Sequence, residues 1–341
     1  MKKVKKAVVL INLGTPKSTS IPDVKEYLDE FLMDEYVIDV PYLLRALIVK
    51  GFILRKRPAQ SAEAYESIWW DEGSPLMVIS DHLTQKVDKK VDVPVVLAMR
   101  YGQPSIKSVF EELKANYSDL EEVLCVPLYP QYAMATTKTV EEEVKRVTSK
   151  WSDVVVSFKS PFYNDEDYIK AQSEVIKPYL NNYDHILFSY HGLPERHLKK
   201  TDPTGKHCLK VENCCSVNSE AHTVCYRHQV YEATNAVVEK LSIPNEKYTI
   251  SFQSRLGQDK WIKPFTEETL AALGQKGIKR LLVSCPAFVA DCIETLEEIG
   301  MRGKEVFIKN GGESFEMIPC INDSELWVNT VVKWVDDFII E

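Results

Sequence analysis

Short apolar runs rich in β-branched residues alternate along the chain with segments of helical periodicity. Runs this short are typical of buried strands, and strands alternating with helices indicate a parallel sheet covered on both faces. The predicted strands are residues 7–12, 94–99, 122–127, 153–158, 185–190, 248–253, 280–285 and 315–319. The predicted helices are residues 105–116, 139–150, 165–180, 225–241, 266–276, 290–300 and 324–340.

The chain also contains a faint internal repeat. "VVLINLGTP", ending at Pro16, resembles "HILFSYHGLP", ending at Pro194. "LCVPLYP" at 124–130 resembles "LVSCPAF" at 282–288, and the order is the same in both halves. The repeat therefore predicts an α/β protein of two similar Rossmann-like, doubly wound domains with parallel sheets.

Length and charge narrow the class of protein. Single cores rarely grow beyond ~250–300 residues, so 341 residues suggest two domains, which we place at 1–160 and 161–341. A net charge of −8 argues against nucleic acid as a partner, because duplex binding requires clustered Lys and Arg. The N-terminal apolar run ends in a Gly-Thr-Pro turn without a cleavage site, so we expect a first buried strand and a cytoplasmic protein.

His191 stands where the apolar run of "HILFSYHGLPERH", residues 185–197, ends. In open α/β sheets ligands bind beyond the carboxyl ends of the strands. The glycine and proline that follow suit an exposed turn presenting a functional side chain. The alternative is a half-buried histidine that only donates a hydrogen bond to a nearby carbonyl.

Three carboxylates follow a strand of the second half. Asp291, Glu294 and Glu298 are spaced i, i+3 and i+7, which on a continuous helix places them on one face. Such a face is commonly a solvated helix start favoured by the dipole. Here it would converge with His191, and an imidazole facing carboxylates can accept a proton or hold a divalent metal.

The eight cysteines fall into two sets. Four are scattered on predicted strands and helices and are interpreted as small buried hydrophobic residues, and four crowd into the polar stretch 207–225 with spacing C-x5-C-C-x9-C. Four thiolates can enclose zinc or an iron–sulfur cluster, with His207 and His222 as competing ligands. The scattered set is Cys125, Cys285, Cys292 and Cys320, and the crowded set is Cys208, Cys214, Cys215 and Cys225.

Eight ordered motifs give the chain a resemblance to the ferrochelatases over nearly its whole length. They are "INLGTP" (11–16), "GSPL" (73–76), "MRYGQPSI" (99–106), "LYPQYAMATT" (128–137), "FSYHGLPERH" (188–197), "FQSRLGQDKWIKPFTEE" (252–268), "CPAFVADCIETLEEI" (285–299) and "GGESFEMIPCIND" (311–323). The resemblance implies an enzyme that inserts Fe²⁺ into protoporphyrin IX to form haem, with the substrate cleft between two Rossmann-like domains.

The resemblance also implies roles for individual residues. His191 and Glu294 match the catalytic pair that faces the macrocycle and the incoming iron, and Asp291 and Glu298 match a path for protons or metal. The residues that match porphyrin-binding positions are Arg100, Tyr101, Tyr129, Gln131 and Trp261. Alternatively, Arg100 pairs with a structural carboxylate and Trp261 belongs to the core.

Residues 36–58 are apolar with a basic tail, Arg55, Lys56 and Arg57. Taken alone the segment predicts a core helix with a polar end. The resemblance implies an apolar lip at the porphyrin pocket that touches the inner face of a membrane, with the basic residues facing anionic headgroups.

The crowded cysteines resemble those of a bacterial subgroup of ferrochelatases that carries an internal [2Fe–2S] cluster. Met134 occupies the position of one cluster ligand in the animal enzymes, so the animal ligand set is excluded. We therefore expect Cys208, Cys214, Cys215 and Cys225 to hold the cluster. Its role would be structural or sensory, because metal insertion involves no net redox change.

Two departures and three alternatives complete the prediction. Cys292 replaces a histidine of the animal enzymes, which puts a proton relay through that position in doubt. "NLGTP" in place of "AYGTP" favours protoporphyrin over coproporphyrin III, which remains an alternative substrate. A porphyrin or haem carrier would need no catalytic pair, and an iron–sulfur sensor would need only the cysteines.

Overall fold

Eight strands form two parallel sheets in the computed structural model, which describes residues 4–257 and 259–340. The sheet orders are β2-β1-β3-β4 and β6-β5-β7-β8. All eight predicted strands are confirmed, to within two residues at either end. They are β1 Lys6–Gly14, β2 Val95–Tyr101, β3 Glu122–Pro127, β4 Val155–Phe158, β5 His185–His191, β6 Tyr248–Gln253, β7 Arg280–Ser284 and β8 Ser314–Met317.

The helices lie between and after the strands. They are α1 Ile21–Leu32, α2 Tyr42–Ile48, α3 Leu54–Glu66, α4 Pro75–Asp88, α5 Ile106–Asn116, α6 Thr139–Thr148, α7 Glu166–Ile176, α8 Glu195–Thr201, α9 Tyr226–Lys240, α10 Thr266–Gln275, α11 Ile293–Leu296, α12 Lys304–Lys309 and α13 Glu325–Ile340. Turns of π-helix cover Val49–Ile53, Met134–Lys138 and Glu298–Gly303.

Helices α1 to α4 were missed by the periodicity argument, although α1 carries ordinary start signals. Ser20 caps it by accepting a hydrogen bond from the Asp23 backbone N–H, and Pro22 lies in its first turn. An N-cap serine followed by proline and an acidic residue is typical of a helix start. The sequence therefore held the information for this helix.

The two sheets repeat one topology. β1 pairs with β2 and β3, and β5 pairs with β6 and β7 in the same parallel arrangement. The chain order reverses direction between the central strands of each sheet, and in open sheets ligand sites form at this switch point. In the second sheet the switch point lies between the ends of β5 and β7.

The chain divides into two compact units. The first unit runs as far as Tyr129 and also contains Met134–Ser160 and the chain from Trp327 onward. The second unit contains Pro130–Ala133 and Pro161–Leu326. The sequence-based division placed all of α13 in the second half, whereas the structure returns this helix to the first unit.

Apolar side chains from the sheets and helices build each unit's core. Fully burying one such side chain stabilises a fold by ~1.5–3 kcal/mol. In the first unit the core contains Val9, Ile11, Phe110, Val123 and Val144. In the second it contains Leu187, Leu270, Val283, Ile299 and Phe307.

Candidate active site

His191 is the last residue of β5 and is half-buried. Its Nδ1 lies 2.6 Å from the backbone oxygen of Gly192, and the Tyr226 hydroxyl donates to the backbone oxygen of His191 at 2.8 Å. Because a carbonyl oxygen only accepts, Nδ1 carries the proton and Nε2 of the neutral ring keeps a lone pair. The histidine is therefore oriented as a base through Nε2.

Gly192 brings the end of β5 close to β6. Its backbone N–H donates to the backbone oxygen of Gln253 at 2.7 Å. A Cβ at this position would lie 2.8 Å from the same oxygen and 3.3 Å from the Trp261 ring. Glycine is therefore required for the approach that fixes the position of His191.

The predicted ridge of three carboxylates is wrong for its first member. Cys292 has an extended backbone, φ −151°, and α11 begins only at Ile293, so Asp291 precedes the helix. The buried Asp291 carboxylate accepts hydrogen bonds from Thr295 Oγ1 at 3.0 Å and Asn322 Nδ2 at 2.8 Å. Asp291 thus anchors the turn after β7 and does not extend the face formed by the two glutamates.

Glu298 begins the π-helical turn after α11, and Ser254 holds it. The Ser254 backbone N–H donates to Oε1 at 2.9 Å, and its hydroxyl donates to Oε2. Burial raises the pKa of Glu298, while the serine hydroxyl and the charge of His191 oppose this rise and Glu294 adds to it. His191, Glu294 and Glu298 therefore lie within electrostatic range of one another in the second unit.

A buried hydrogen-bond network supports the two glutamates from below. Gln253 Nε2 donates to the backbone oxygen of Glu294 at 2.7 Å, and Ser189 Oγ donates to Gln253 Oε1 at 2.6 Å. Thr266 Oγ1 lies within 2.9 Å of the hydroxyls of Ser189 and Ser251. Sequence reasoning missed this network, although hydroxyl and amide side chains inside apolar strands were its visible signal.

Trp261 lies beside the histidine turn. The ring is buried, its Nε1 donates to the backbone oxygen of Leu256 at 3.1 Å, and its backbone forms a β-bridge with Pro194. Trp261 thus joins the second unit's site at the wall formed by Gly192.

Arg100 and Tyr101 lie in the first unit around a buried carboxylate, Asp34. Arg100 donates to Asp34 Oδ2 at 2.5 Å and to Thr139 Oγ1 at 2.8 Å. The hydroxyls of Tyr101 and Thr139 donate to the same Oδ2 at 2.9 and 2.6 Å. The alternative prediction, that Arg100 pairs with a structural carboxylate, is therefore observed, and Tyr101 is completely buried beneath it.

Tyr129 and Gln131 carry buried polar atoms that lack a protein partner. The Tyr129 ring joins the first unit's core, while Gln131 belongs to the second unit. In the described part of the chain, the Tyr129 hydroxyl and Gln131 Nε2 have no hydrogen-bond partner. Buried polar groups are almost always paired, so unpaired donors in this segment indicate a place where a ligand supplies the acceptor.

The scattered cysteines are free and buried, which confirms the interpretation of Cys125, Cys285, Cys292 and Cys320 as small core residues. The crowded four lie together in the second unit. Hydrogen bonds from the Cys215 and Cys208 thiols to the sulfur of Cys225 lower the pKa of Cys225 to about 6. Cys214 lies within electrostatic range of both donors.

This thiol loop, residues 202–225, is well organised, contrary to the expectation of a polar stretch with no structure of its own. Asp202 Oδ2 accepts from the backbone N–H groups of His207 and Cys208 at 2.7 and 2.8 Å. His207 Nε2 and His222 Nε2 both bond to the Cys214 backbone oxygen, at 2.7 and 2.9 Å. These two nitrogens are thus engaged with the backbone and do not compete as metal ligands.

The donor set of the thiol loop suits a cluster better than a single ion. Within residues 4–257 and 259–340, no group of three or more His, Cys, Asp or Glu side chains is arranged to hold one metal ion. A [2Fe–2S] cluster needs four thiolates around two irons, a wider set than tetrahedral zinc requires. Four adjacent thiols, one of them already acidic, fit the number and the charge of that group.

The fold and the second unit's site define a chelatase. SirB from Bacillus subtilis, in a structure with Fe³⁺, shares the fold with a TM-score of 0.55 over 98% of this chain and 95% of that chain, at 15% sequence identity. The sequence profile named Ferrochelatase matches residues 5–338. The chain belongs to the ferrochelatase family, and its function is that of a ferrochelatase in haem synthesis, as the eight motifs predicted.

Curated relatives agree over the full length. The ferrochelatase of Pseudomonas fluorescens (strain SBW25) is 51% identical over 329 residues, covering 95% of this chain and 96% of the relative. That of Pseudomonas syringae pv. tomato (strain ATCC BAA-871 / DC3000) is 52% identical over 324 residues, covering 94% of each.

Proposed function

We propose that this ferrochelatase inserts Fe²⁺ into protoporphyrin IX, with His191 as the acceptor of pyrrole protons. The observation that carries the proposal is the hydrogen bond from His191 Nδ1 to the Gly192 oxygen. It leaves the Nε2 lone pair available at the switch point of the second sheet. A neutral imidazole with an ordinary pKa near ~6.5 accepts protons well at neutral pH.

The reaction exchanges protons for iron without a change of oxidation state. Both pyrrole N–H protons leave as Fe²⁺ binds the four ring nitrogens, so the site needs a base and a route for a second charge. Nε2 of His191 takes a proton from the ring. Glu294, with its backbone held by Gln253, faces the reacting centre with a carboxylate that attracts the cation.

Glu298 extends the acidic pair away from His191. Because burial raises its pKa, it takes up a proton more readily than an ordinary glutamate does. Ser254 fixes its orientation through two hydrogen bonds. We assign Glu298 to the relay of protons or iron, and Asp291 to anchoring the turn that presents both glutamates.

The porphyrin-binding assignments rest on the chemistry of the matched residues. Trp261 offers a flat apolar surface next to Gly192, and aromatic surfaces suit a macrocycle. Gln131 and Tyr129 offer buried donors without protein partners. Arg100 retains N–H groups beyond those bound to Asp34 and Thr139, and these suit a propionate. Tyr101 contributes indirectly, by holding Asp34.

Residues 36–58 support membrane contact by a peripheral apolar surface. Five large apolar side chains of this segment are exposed, and the basic residues after them are exposed as well. No helix in the described residues is long and apolar enough to span a membrane. The exposed apolar residues are Tyr42, Leu43, Leu44, Leu47 and Phe52, and the basic ones are Arg55, Lys56 and Arg57.

This apolar lip also favours protoporphyrin IX as the substrate. Coproporphyrin III carries more carboxylates and partitions less into an apolar surface, whereas protoporphyrin is sparingly soluble in water. An exposed apolar surface flanked by cations is suited to a membrane that holds the apolar porphyrin.

We further propose that Cys208, Cys214, Cys215 and Cys225 hold a [2Fe–2S] cluster. The support is the mutual hydrogen bonding of the thiols and the low pKa of Cys225, since thiolates are the ligands such clusters need. The cluster would supply structural order or redox sensing to the loop, and the insertion reaction does not pass through it.

An anaerobic absorbance assay tests the proposed reaction. Protoporphyrin IX or coproporphyrin III is mixed with the protein, Fe²⁺ is added, and the loss of free-porphyrin absorbance is followed. We expect faster turnover with protoporphyrin IX. Stable retention of porphyrin without turnover would support a carrier, and faster turnover of coproporphyrin III would overturn the substrate assignment.

A further inference from the structure

The side chain of Gln229, on α9, bridges two segments of the second unit that belong to different functions. It is 0% exposed and makes three hydrogen bonds. Its Oε1 accepts from the Tyr132 backbone N–H at 2.7 Å, and its Nε2 donates to the backbone oxygens of His222 and Thr223 at 3.2 and 2.9 Å. One acceptor and both amide hydrogens are therefore in use.

On one side of this bridge lies the segment Pro130–Ala133. Gln131, next to Tyr132, is 2% exposed, and its Nε2 has no partner in the described chain. A buried amide awaiting an acceptor can bind a ligand only if its backbone is held in place, and the Tyr132 N–H bonded to Gln229 provides that hold. Gln229 therefore controls the position of a predicted porphyrin-binding residue without touching the substrate itself.

On the other side lies the thiol loop. The His222 ring bonds to the Cys214 oxygen at 2.9 Å and stacks on His228 at 3.6 Å between ring centroids. His228 Nδ1 in turn lies 2.8 Å from the Cys215 oxygen. The turn that carries the Gln229 acceptors is thus connected through two imidazoles to the backbone of adjacent cysteines.

We propose that Gln229 is a positioning residue that couples the order of the thiol loop to porphyrin binding by residues 130–133, an inference that rests on the porphyrin and cluster assignments above. A loop held by its cluster fixes the carbonyls of His222 and Thr223. These fix the Gln229 amide, which fixes Tyr132 and the adjacent Gln131. Loss of the cluster releases the first contact and, through it, the last.

A double-mutant cycle tests this coupling. Gln229→Met keeps the length of the side chain and removes all three hydrogen bonds. We expect it to raise the dissociation constant and the KM of protoporphyrin IX about 10-fold, within the usual range of coupling between sites. The kcat should stay unchanged, because Gln229 touches no reacting atom. The matched control is Gln172→Met, another buried glutamine of this unit that bonds Ser284, and it should leave the KM unchanged.

The second arm of the cycle removes the cluster. Cys225→Ser should weaken porphyrin binding by about the same factor in the wild-type background and by less than about 2-fold when Gln229→Met is already present. Effects that simply multiply would overturn the coupling. If iron and sulfide analysis finds no cluster in the wild-type protein, the cluster assignment fails, while an unchanged KM for Gln229→Met still rejects the positioning role.

Hydrogen exchange provides a measurement that does not depend on Gln229→Met folding. In the otherwise unaltered protein, Cys225→Ser should speed amide exchange in residues 130–133 relative to a peptide from β7. Unchanged protection at 130–133 would show that the thiol loop does not hold this segment, and would overturn the proposal.

Discussion

At the scale of single residues, the direction of one hydrogen bond decides the chemistry of His191. The carbonyl of Gly192 can only accept, so it fixes the tautomer. A similar logic applies to Ser254, whose backbone lies in the left-handed region at φ 66°. Such a conformation is uncommon outside glycine, and here it directs both the N–H and the hydroxyl of one residue to Glu298.

His191→Ala should abolish iron insertion and leave porphyrin binding largely intact. The imidazole is the only base at the end of β5, yet it contributes little packing because it is half-buried at the edge of the core. Anaerobic turnover and porphyrin fluorescence titration measure the two properties separately. Near-normal turnover of a folded variant would reject the assigned base.

Glu294→Gln should lower turnover far more than Glu297→Gln. Glu297 pairs with Arg302 at 2.7 and 2.9 Å and points away from the acidic pair, so its loss removes a surface interaction of ~0–1 kcal/mol. Both substitutions remove one charge from the same short stretch. Equal reductions in kcat/KM would mean that general electrostatics, and not a positioned carboxylate, supports catalysis.

At the scale of elements, short turns and loops carry more of the function than the regular helices do. The thiol loop is ordered by Asp202 and by imidazoles bonded to cysteine carbonyls. The hydrogen bonds that Asp202 accepts keep its pKa below the usual range although burial opposes them. The loop therefore has an anchor of its own at its N-terminal end.

Anaerobically purified protein should be brown, with about two irons and two labile sulfides per chain. Serine at Cys208, Cys214, Cys215 or Cys225 should bleach the colour, because each thiolate is a ligand. Serine at the buried Cys125, Cys285 or Cys320 is the control and should keep it. Visible absorbance with iron and sulfide analysis measures the outcome, and colourless protein with one zinc and no sulfide would contradict the cluster.

The apolar lip should bind anionic vesicles through α2. Leu43→Glu places a charge where an 82% exposed leucine now stands, and it should lower binding to vesicles that contain phosphatidylserine. Ile340→Glu is the matched control, because Ile340 is 83% exposed at the end of α13. Vesicle co-sedimentation measures both variants, and an equal loss of binding would point to net charge instead of the lip.

At the scale of the whole molecule, the chain returns to its first unit after completing the second. Helix α13 buries Trp327, Val331 and Trp334. Lys6 Nζ donates to the Phe338 backbone oxygen at 2.9 Å, and Lys159 Nζ lies 4.4 Å from the Trp334 ring centroid. The last helix thus stabilises the unit that contains the first strand.

Trp334→Ala should therefore destabilise the first unit selectively. Removing a buried Trp costs ~3–5 kcal/mol of unfolding free energy. Amide exchange should speed up in β1 to β4 more than in β5 to β8. Trp70→Ala, at a position that is 41% exposed, should have a much smaller effect. Equal loss of protection in both sheets would show that α13 does not belong to one unit.

The sequence by itself determined the strands, the repeat, the family and the candidate residues. It could do so because apolar periodicity is local and because the motifs "FSYHGLPERH" and "CPAFVADCIETLEEI" occur as contiguous stretches. The prediction failed where local pattern and local backbone diverge. Asp291 satisfies the helical spacing, but the extended backbone at Cys292 places it outside the helix.

Only the tertiary structure decided which groups meet. The bond from Gln253 to Glu294, the clamp of Ser254 on Glu298 and the bridge of Gln229 join residues 41, 44 and 97 positions apart. The return of α13 to the first unit is equally remote from any local signal. Such contacts depend on the path of the whole chain through its sheets, and a single sequence encodes them only through the packing of all its elements together.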